Sequence, residues 1–387
     1  MRPVATVVLL LSLLLVACGG STVAPPAATE VVAEPATPTA ETPPTATTST
    51  SLFDPIKTAC LVTDIGSVED GTYNESAYQG LLRAAEEFNL EHELIETRSS
   101  DEYKANIEKC LEGGFKVVIT VGPFYAEQTL AAAQAHPDAH FIATDQSFEE
   151  IPENLVTIHF REDQAGFLAG ALACMMTEEN KVAGVYGIEI PPLKRFRNGF
   201  ENGCHYVNPD AETLGTYMES FIDPQAGAEA ADGFIAEGAD VIFGAAGATG
   251  GGALRQGAQA GVYVIGVDQD EYKTTFLDGQ APGSEMILSS AVKEVGQGVY
   301  DQLRGLAEPE SDLWAGGEIY LMEVANDGIG YAEFHEAEAV IPEAVQERLA
   351  EIRELLASGE LQTGVDVASG DPDPDTMPEA VPFESEE

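Results

Sequence analysis

From residue 57 onward, the chain alternates short apolar runs rich in β-branched residues with longer stretches of helical periodicity. This alternation predicts parallel strands joined by crossover helices, because a parallel connection must bring the chain back to the edge where the previous strand began. Helices then cover both faces of the sheet, so the pattern predicts an α/β fold. The predicted strands span residues 59–63, 92–97, 117–121, 140–144, 156–160, 181–186, 212–217, 240–243, 262–267 and 286–289.

These strands are more than one sheet of ordinary size holds. We interpret them as two doubly wound lobes with parallel sheets, joined by several chain crossings that act as a hinge. Lobe one is predicted to comprise residues 57–160 and 270–308, and lobe two residues 161–269 and 309–360. Because ligands bind beyond the carboxyl ends of parallel strands, the loops at those ends are predicted to face each other across a cleft and to carry the function.

The N-terminal segment has the pattern of an export signal. Arg2 supplies a positive charge, and the apolar run at residues 4–16 is too short to cross a bilayer. Residues 1–18 resemble a bacterial lipoprotein signal, in which Cys18 receives lipid and becomes the mature N-terminus. The alternative is a secretory signal with an incidental cysteine. Residues 19–56, rich in Pro and Thr, are predicted to form a disordered tether on the extracytoplasmic side of the membrane.

The charge of the chain is strongly acidic. The sequence has 66 acidic and 18 basic residues, a formal net charge of −48. Nucleic acids and anionic lipid surfaces need clustered Lys and Arg, so this composition argues against both as partners. Residues 361–387 form an acidic, Pro-containing tail that is predicted to be disordered from Asp366 onward. A local basic cluster, Lys194, Arg195 and Arg197, is interpreted as a solvated helix face; the alternatives are a mouth for anionic ligands and a docking patch.

Four cysteines remain when Cys18 is set aside, and an even number outside the cytoplasm indicates two disulfides. Strand starts and helix ends lie at the same edge of a parallel sheet. Cys60 begins a predicted strand and Cys110 closes a predicted helix, while Cys174 and Cys204 both close helices. We therefore predict the pairs Cys60–Cys110 and Cys174–Cys204; the alternative is four buried free thiols.

The predicted strand-end loops carry polar and aromatic residues within ordered motifs. The first strand runs into Val62-Thr63-Asp64-Ile65-Gly66, and a later strand runs into Gly266-Val267-Asp268-Gln269-Asp270. With these motifs, residues 57–335 resemble the basic membrane protein family of bacterial nucleoside-binding lipoproteins, which includes the purine nucleoside receptor of spirochaetes. The positions that match the family, and that the resemblance implies to be the binding residues, are Asp64, Tyr73, Asn74, Asp145, Phe196, Gly247, Asp268 and Lys293.

The resemblance implies a type I periplasmic-binding-protein fold whose two lobes close on a nucleoside and deliver it to the permease of an ABC importer. On this basis Tyr73 and Phe196 are expected to stack on the two faces of the base. The remaining roles are expected as follows: Asp64, Asn74 and Asp145 at the base edge, and Asp268, Lys293 and the backbone at Gly247 on the ribose. Tyr73 stands where the family usually has Phe, which leaves the choice of purine open.

The motifs favour a binding protein over an enzyme. The sequence has no His-Glu-x-x-His, no Gly-x-Ser-x-Gly and no Cys/His cluster with zinc spacing, so neither metal nor cofactor is predicted. The glycine-rich segment 244–252 fits no nucleotide-binding motif. Two alternatives stay open: a hydrolase that uses the cleft carboxylates on nucleosides or sugars, and a ligand-sensing receptor with the same fold.

Overall fold

The computed structural model describes residues 56–384, so the predicted signal, Cys18, nearly all of the tether and the last three residues lie outside the described part of the chain. Its strands are β1 (Thr58–Ile65), β2 (Glu91–Thr97), β3 (Val117–Thr120), β4 (His140–Thr144), β5 (Leu155–Phe160), β6 (Lys181–Tyr186), β7 (Glu212–Tyr217), β8 (Val241–Ala245), β9 (Tyr263–Asp268), β10 (Ile287–Lys293), β11 (Ile319–Met322) and β12 (Ile329–Tyr331). Its helices are α1 (Tyr73–Phe88), α2 (Tyr103–Glu112), α3 (Ala126–Ala135), α4 (Glu162–Met176), α5 (Pro191–Val207), α6 (Pro224–Ala236), α7 (Gly247–Ala260), α8 (Val295–Ala307) and α9 (Glu343–Ser358).

The strands form two six-stranded sheets of matching layout. The first sheet has the order β2-β1-β3-β4-β5-β11, and the second has the order β7-β6-β8-β9-β10-β12. All neighbours are parallel except β10 and β12, which pair antiparallel. The predicted α/β fold with two doubly wound lobes is therefore confirmed.

The central strands owe their positions to continuous apolar runs. Every residue of β3 is buried, as is every residue of β8, because helices cover both faces of each sheet. The edge strand β7 is only half-buried along most of its length. Core side chains on the two faces of each sheet thus hold the carboxyl ends of the inner strands at fixed positions.

The path between the lobes differs from the expectation for residues 270–308. Strand β10 pairs with β9 in the second sheet, and the chain returns to lobe one only at α8, which packs against α1. The expectation failed because the connection between β9 and β10 has no long helix, although a parallel neighbour is usually reached through one. It uses turns and a short 3₁₀ segment, Ser284–Met286, instead.

Residues 309–360 also divide between the lobes. Strand β11 joins the first sheet beside β5, whereas β12 and α9 complete lobe two. The described chain therefore crosses between lobes after β5, after β10 and after β11. Strands of four and three residues give too little periodicity to be recognised in a sequence.

The acidic tail is ordered as far as the structure describes it, so the prediction of disorder from Asp366 is wrong for residues 366–384. Main-chain amides of Val381 and Phe383 donate to the carbonyls of Tyr206 and Val207, each at 2.8 Å. Thr363 is buried, and its Oγ1 donates to Asp163 Oδ2 at 2.5 Å. A segment with few apolar residues can be ordered by hydrogen bonds to a neighbouring helix.

Both predicted disulfides are present. Cys60 on β1 is bonded to Cys110 on α2, and Cys174 on α4 is bonded to Cys204 on α5, with Cα–Cα distances of 5.8 and 5.0 Å. Each bond joins neighbouring elements of one lobe. Within residues 56–384, none of the helices is long and apolar enough to span a bilayer.

The second disulfide should contribute strongly to stability. Replacement of both Cys174 and Cys204 by Ser should lower the free energy of unfolding by about 3 kcal/mol, because the bond closes a loop with a sequence separation of 30 residues in the unfolded chain. Denaturant unfolding of the oxidised proteins measures the difference. Adding reductant should lower the stability of wild type and change the double variant less; an equal response would contradict this account.

Candidate functional site

A cavity lies between the carboxyl ends of the two sheets. All eight candidate residues line it, namely Asp64, Tyr73, Asn74, Asp145, Phe196, Gly247, Asp268 and Lys293. Lobe one contributes the first four of these residues, and lobe two contributes the others. The structure thus brings together strand-end residues that are more than 200 positions apart in the sequence.

The lobe-one wall is built around the end of β1 and the start of α1. Asn74 Oδ1 accepts a hydrogen bond of 3.0 Å from the amide of Asp64, which ties the strand end to the helix start. Asp70, two residues before the N-cap Thr72, accepts hydrogen bonds from the amides of Thr72 and Asn74 at 2.9 and 3.0 Å, where the first amides of a helix lack partners within it. Gly122, with φ of +100°, leaves room for the Asp64 carboxylate, which a Cβ at this position would overlap.

Asp145 and Asp268 occupy equivalent places in the two lobes. Asp145 directly follows β4, and Asp268 is the last residue of β9; each of these strands is the fourth of its lobe in chain order. Both residues have a left-handed backbone, with φ of 59° for Asp145 and 63° for Asp268. Asp is among the few residues that tolerate this conformation. Asp145 Oδ1 is buried and has no hydrogen-bond partner among the described residues, so it can accept a hydrogen bond from a ligand.

A buried chain of charges joins the lobes at the base of the cavity. Lys293 Nζ lies 2.7 Å from Asp145 Oδ2 in lobe one and 2.8 Å from Glu162 Oε1 at the start of α4. Glu162 also accepts from Arg195 Nε at 2.6 Å. The four side chains are at most 8% exposed. Tyr73 adds a hydrogen bond to this series of charged groups, because its hydroxyl donates to Asp145 Oδ2 at 2.7 Å.

These ion pairs determine the protonation states of Lys293 and Glu162. Burial alone would lower the pKa of Lys293, but Asp145 and Glu162 raise the pKa of this ammonium above its ordinary value. Burial would raise the pKa of Glu162, yet Arg195 and Lys293 hold it below the usual range. Lys293 and Glu162 are therefore both ionised at neutral pH.

For the other carboxyl groups of the cavity, the cost of burial is less fully offset by basic groups and hydrogen bonds. Burial raises the pKa of Asp268 to about 7, an effect that Lys293 only partly offsets. Burial also raises the pKa of Asp64 to about 6, against hydrogen bonds from the Ile65 amide and the Tyr103 hydroxyl. With Asp70 and Asp145, four carboxyl groups line the cavity against the single ammonium of Lys293.

Lobe two contributes most of the apolar surface. Phe196 on α5 is 3% exposed and meets Phe243 edge-on, with ring centroids 6.2 Å apart. The same wall contains four apolar residues that are not among the eight predicted candidates: Ile190, Leu193, Phe221 and Ile222. Phe221 lies in the loop between β7 and α6, and an aromatic residue in a strand-end loop is the signal that would have identified it.

Two hydrogen bonds close the rim of the cavity between loops of opposite lobes. Gln269 Nε2 donates to the carbonyl of Thr72 at 2.7 Å, and Thr274 Oγ1 donates to the carbonyl of Gly71 at 2.7 Å. Both acceptors precede α1 directly. The structure is therefore one in which the lobes are in contact around the cavity.

The basic cluster on α5 is not a uniformly solvated face. Arg195 is buried against Glu162, whereas Lys194 pairs with Asp371 and Arg197 Nε donates to Glu201 at 2.8 Å. The interpretation of this cluster as a solvated face is thus wrong for Arg195. Among the described residues, no group of three or more His, Cys, Asp or Glu side chains is arranged to hold a metal ion.

Two similar α/β lobes that meet over a cavity of rings and carboxylates have the architecture of solute-binding proteins. An ABC transporter solute-binding protein from Aeropyrum pernix K1 superposes with a TM-score of 0.70 at 22% identity, covering 79% of this chain and 92% of that one. A solute-binding protein from Conexibacter woesei DSM 14684 has a TM-score of 0.64 at 25% identity, covering 79% and 98% of the two chains.

Residues 57–364 match the model of the Bmp family, described as ABC transporter substrate-binding protein PnrA-like, and the chain belongs to this family. Similar proteins include the ABC transporter nucleoside-binding protein BmpA of Lactococcus lactis subsp. cremoris, 29% identical over 70% of this chain and 80% of its own length. Basic membrane protein A1 of Borrelia garinii subsp. bavariensis is 32% identical over 64% and 72% of the two chains. The family consists of substrate-binding proteins, so the chain is a binding protein and not an enzyme.

The loop after β9 should make stability depend on pH. Glu271 is fully buried there, accepts from the Val267 amide at 3.0 Å and from the Thr275 hydroxyl, and burial raises its pKa to about 8 from an ordinary 4.5. Between these values the folded protein holds a proton that the unfolded chain has released. The contribution of Glu271 is therefore largest below about pH 4.5 and is lost as the pH rises to about 8.

The substitution Glu271→Gln should remove this dependence. The free energy of unfolding of wild type should fall more steeply with rising pH than that of the variant, by up to about 1.4 kcal/mol per pH unit. Denaturant titrations from about pH 5 to about pH 8 measure both slopes. Glu347→Gln, at an exposed position on α9, is the control and should keep the wild-type slope. A Glu271→Gln variant with the wild-type slope would contradict the assignment.

Proposed function

We propose that this protein is a lipid-anchored, extracytoplasmic substrate-binding protein that captures a nucleoside between its lobes and delivers it to the permease of an ABC importer. The observation that carries the proposal is the composition of the cavity, in which Tyr73 from lobe one and Phe196 from lobe two lie among carboxylates. The nucleoside-binding relative from Lactococcus lactis supports the class of ligand.

The aromatic residues suit a flat heterocycle. Lys293 Nζ lies over the Tyr73 ring, 5.0 Å from its centroid, so the opposite face of that ring is the one available to a base. Phe196 would pack against the other side of the base, as offset or edge-on aromatic contacts allow. Ring contacts of this kind favour a purine for its larger area, although they do not by themselves select one purine.

The polar groups suit the rest of a nucleoside. Asp64, Asn74 and the unpaired Oδ1 of Asp145 would accept hydrogen bonds from ring and amino N–H groups of the base. Asp268 and Lys293 would bind ribose hydroxyls, and Gly247, which begins α7, allows the sugar to approach the backbone.

The charge of the cavity favours a neutral ligand over a phosphorylated one. Lys293 is already paired with two carboxylates, so a phosphate would meet the remaining acidic groups without a free cation. A nucleoside brings hydroxyl and amino donors, which carboxylates bind well. The extracytoplasmic location and lipid anchor are supported by the signal pattern that ends at Cys18.

Calorimetric titration with adenosine, guanosine, inosine, uridine and cytidine tests the ligand class. We expect saturable heat with at least one purine nucleoside and weaker or no heat with the corresponding 5′-monophosphate, because the cavity is acidic. Absence of heat with all five nucleosides at millimolar concentration would reject the proposal. Recovery of the unchanged nucleoside after incubation is expected of a binding protein.

Asp268→Asn tests the ribose contact while it preserves the size of the side chain. Loss of the carboxylate should weaken nucleoside binding by about tenfold to a hundredfold, since a hydrogen bond to a charged acceptor contributes about 1.5–3 kcal/mol. Binding of the free base should change much less. Asp210→Asn, at an exposed position, is the matched control. Equal loss of affinity for nucleoside and free base would contradict a ribose-specific role.

A further inference from the structure

The segment that follows α9 lies along α5, the helix that carries Phe196. Residues 361–373, here called the C-terminal strap, provide backbone acceptors for three side chains of that helix. Asn202 Nδ2 donates to the Thr363 carbonyl at 2.8 Å, Asn198 Nδ2 to the Gly370 carbonyl at 2.6 Å, and Arg195 Nη1 to the Val367 carbonyl at 2.8 Å. Most of the strap lies beyond residue 364, where the match to the Bmp family model ends.

The strap contacts the end of α5 that lines the cavity. The cavity wall at this end consists of Ile190, Pro192, Leu193 and Phe196. Gly370 packs so closely here that a Cβ on it would lie 2.6 Å from the Pro191 carbonyl oxygen and 2.8 Å from Lys194 Cβ. Asp371 also pairs with Lys194. The first turn of α5 is thus fixed from outside by the strap while its inner face forms the cavity wall.

The strap also completes the buried charge chain. Arg195 uses Nε for Glu162 and Nη1 for Val367, so the strap carbonyl satisfies a donor that would otherwise be buried next to the ion pair. From Glu162 the contacts continue through Lys293 to Asp145, at 2.8 and 2.7 Å. A continuous series of hydrogen bonds therefore connects the strap with the cavity carboxylate Asp145.

We propose that the C-terminal strap is a positioning element of the binding site, which holds Phe196 and the Arg195–Glu162–Lys293 chain in the geometry that binds the nucleoside. The proposal rests on the proposed function for its ligand but concerns a segment outside the cavity. Its hydrogen-bond acceptors are backbone carbonyls, so these hydrogen bonds depend on the path that the strap follows along α5.

Two glycines provide a matched test. Gly370 and Gly359 both have positive φ, +78° and +74°, so Ala strains the backbone at either position. Only at Gly370 does the added methyl collide with α5, since nothing lies within 4 Å of the corresponding position at Gly359. Gly370→Ala should therefore displace the strap from α5, and Gly359→Ala should leave it in place.

Guanosine affinity and dissociation rate would be measured for full-length wild type and both variants. Gly370→Ala should weaken guanosine binding by about tenfold, mainly through faster dissociation, while Gly359→Ala binds within about twofold of wild type. A chain ending at residue 364 should lose affinity like Gly370→Ala and should regain it when a synthetic peptide of residues 365–384 is added. Wild-type binding by Gly370→Ala and by the shortened chain, or equal losses in the two glycine variants, would overturn the proposal.

Hydrogen exchange of the ligand-free proteins separates this proposal from the proposed function. Amides of residues 193–198, which follow Pro191 and Pro192, should exchange faster in Gly370→Ala than in wild type and Gly359→Ala, whether or not guanosine is a ligand of the protein. If wild type binds no nucleoside, the proposed function is rejected, and the exchange result alone tests whether the strap positions α5. Unchanged exchange in Gly370→Ala at these amides would reject the positioning role.

Discussion

The interaction on which the site depends is the buried contact of Lys293 with Asp145 and Glu162. Removing these ions from water is costly, and the cost is repaid only when each charge keeps its partners at close range. Lys293 belongs to lobe two and Asp145 to lobe one, so the contact specifies how the two lobes meet. Glu162 needs Arg195 as well, and Arg195 needs a carbonyl from the strap. The geometry of the cavity is therefore linked to residues remote from it.

Much of the architecture could be predicted from local sequence pattern. The inner strands are short apolar runs between amphipathic helices, and this pattern can be recognised without knowledge of tertiary contacts. The proximity of Asp64 and Asp145 could be predicted because parallel strands of one sheet bring their carboxyl ends to the same edge. Asp268 ends a strand of the other sheet, and its place opposite them was implied by the resemblance to a two-lobed family. The cysteine pairs followed from the same reasoning about strand and helix ends.

The remaining features depend on contacts that a local pattern does not contain. The sequence pattern predicts the wrong lobe for strand β10 because no long helix separates it from β9. Strands β11 and β12 are too short to show a period. The local sequence predicts a solvated position for Arg195 because its partners, Glu162 and the Val367 carbonyl, are far away in sequence. The tail was predicted to be disordered from its composition, although backbone hydrogen bonds to α5 order it.

The placement of the two disulfides has a mechanical consequence. One bond fastens a strand to a helix inside the first lobe, the other fastens two helices inside the second, and neither runs across the hinge. Oxidation can therefore reinforce each lobe against unfolding without adding a covalent restraint between the lobes. The contact between the lobes is left to noncovalent interactions, whereas each lobe has its own covalent cross-link.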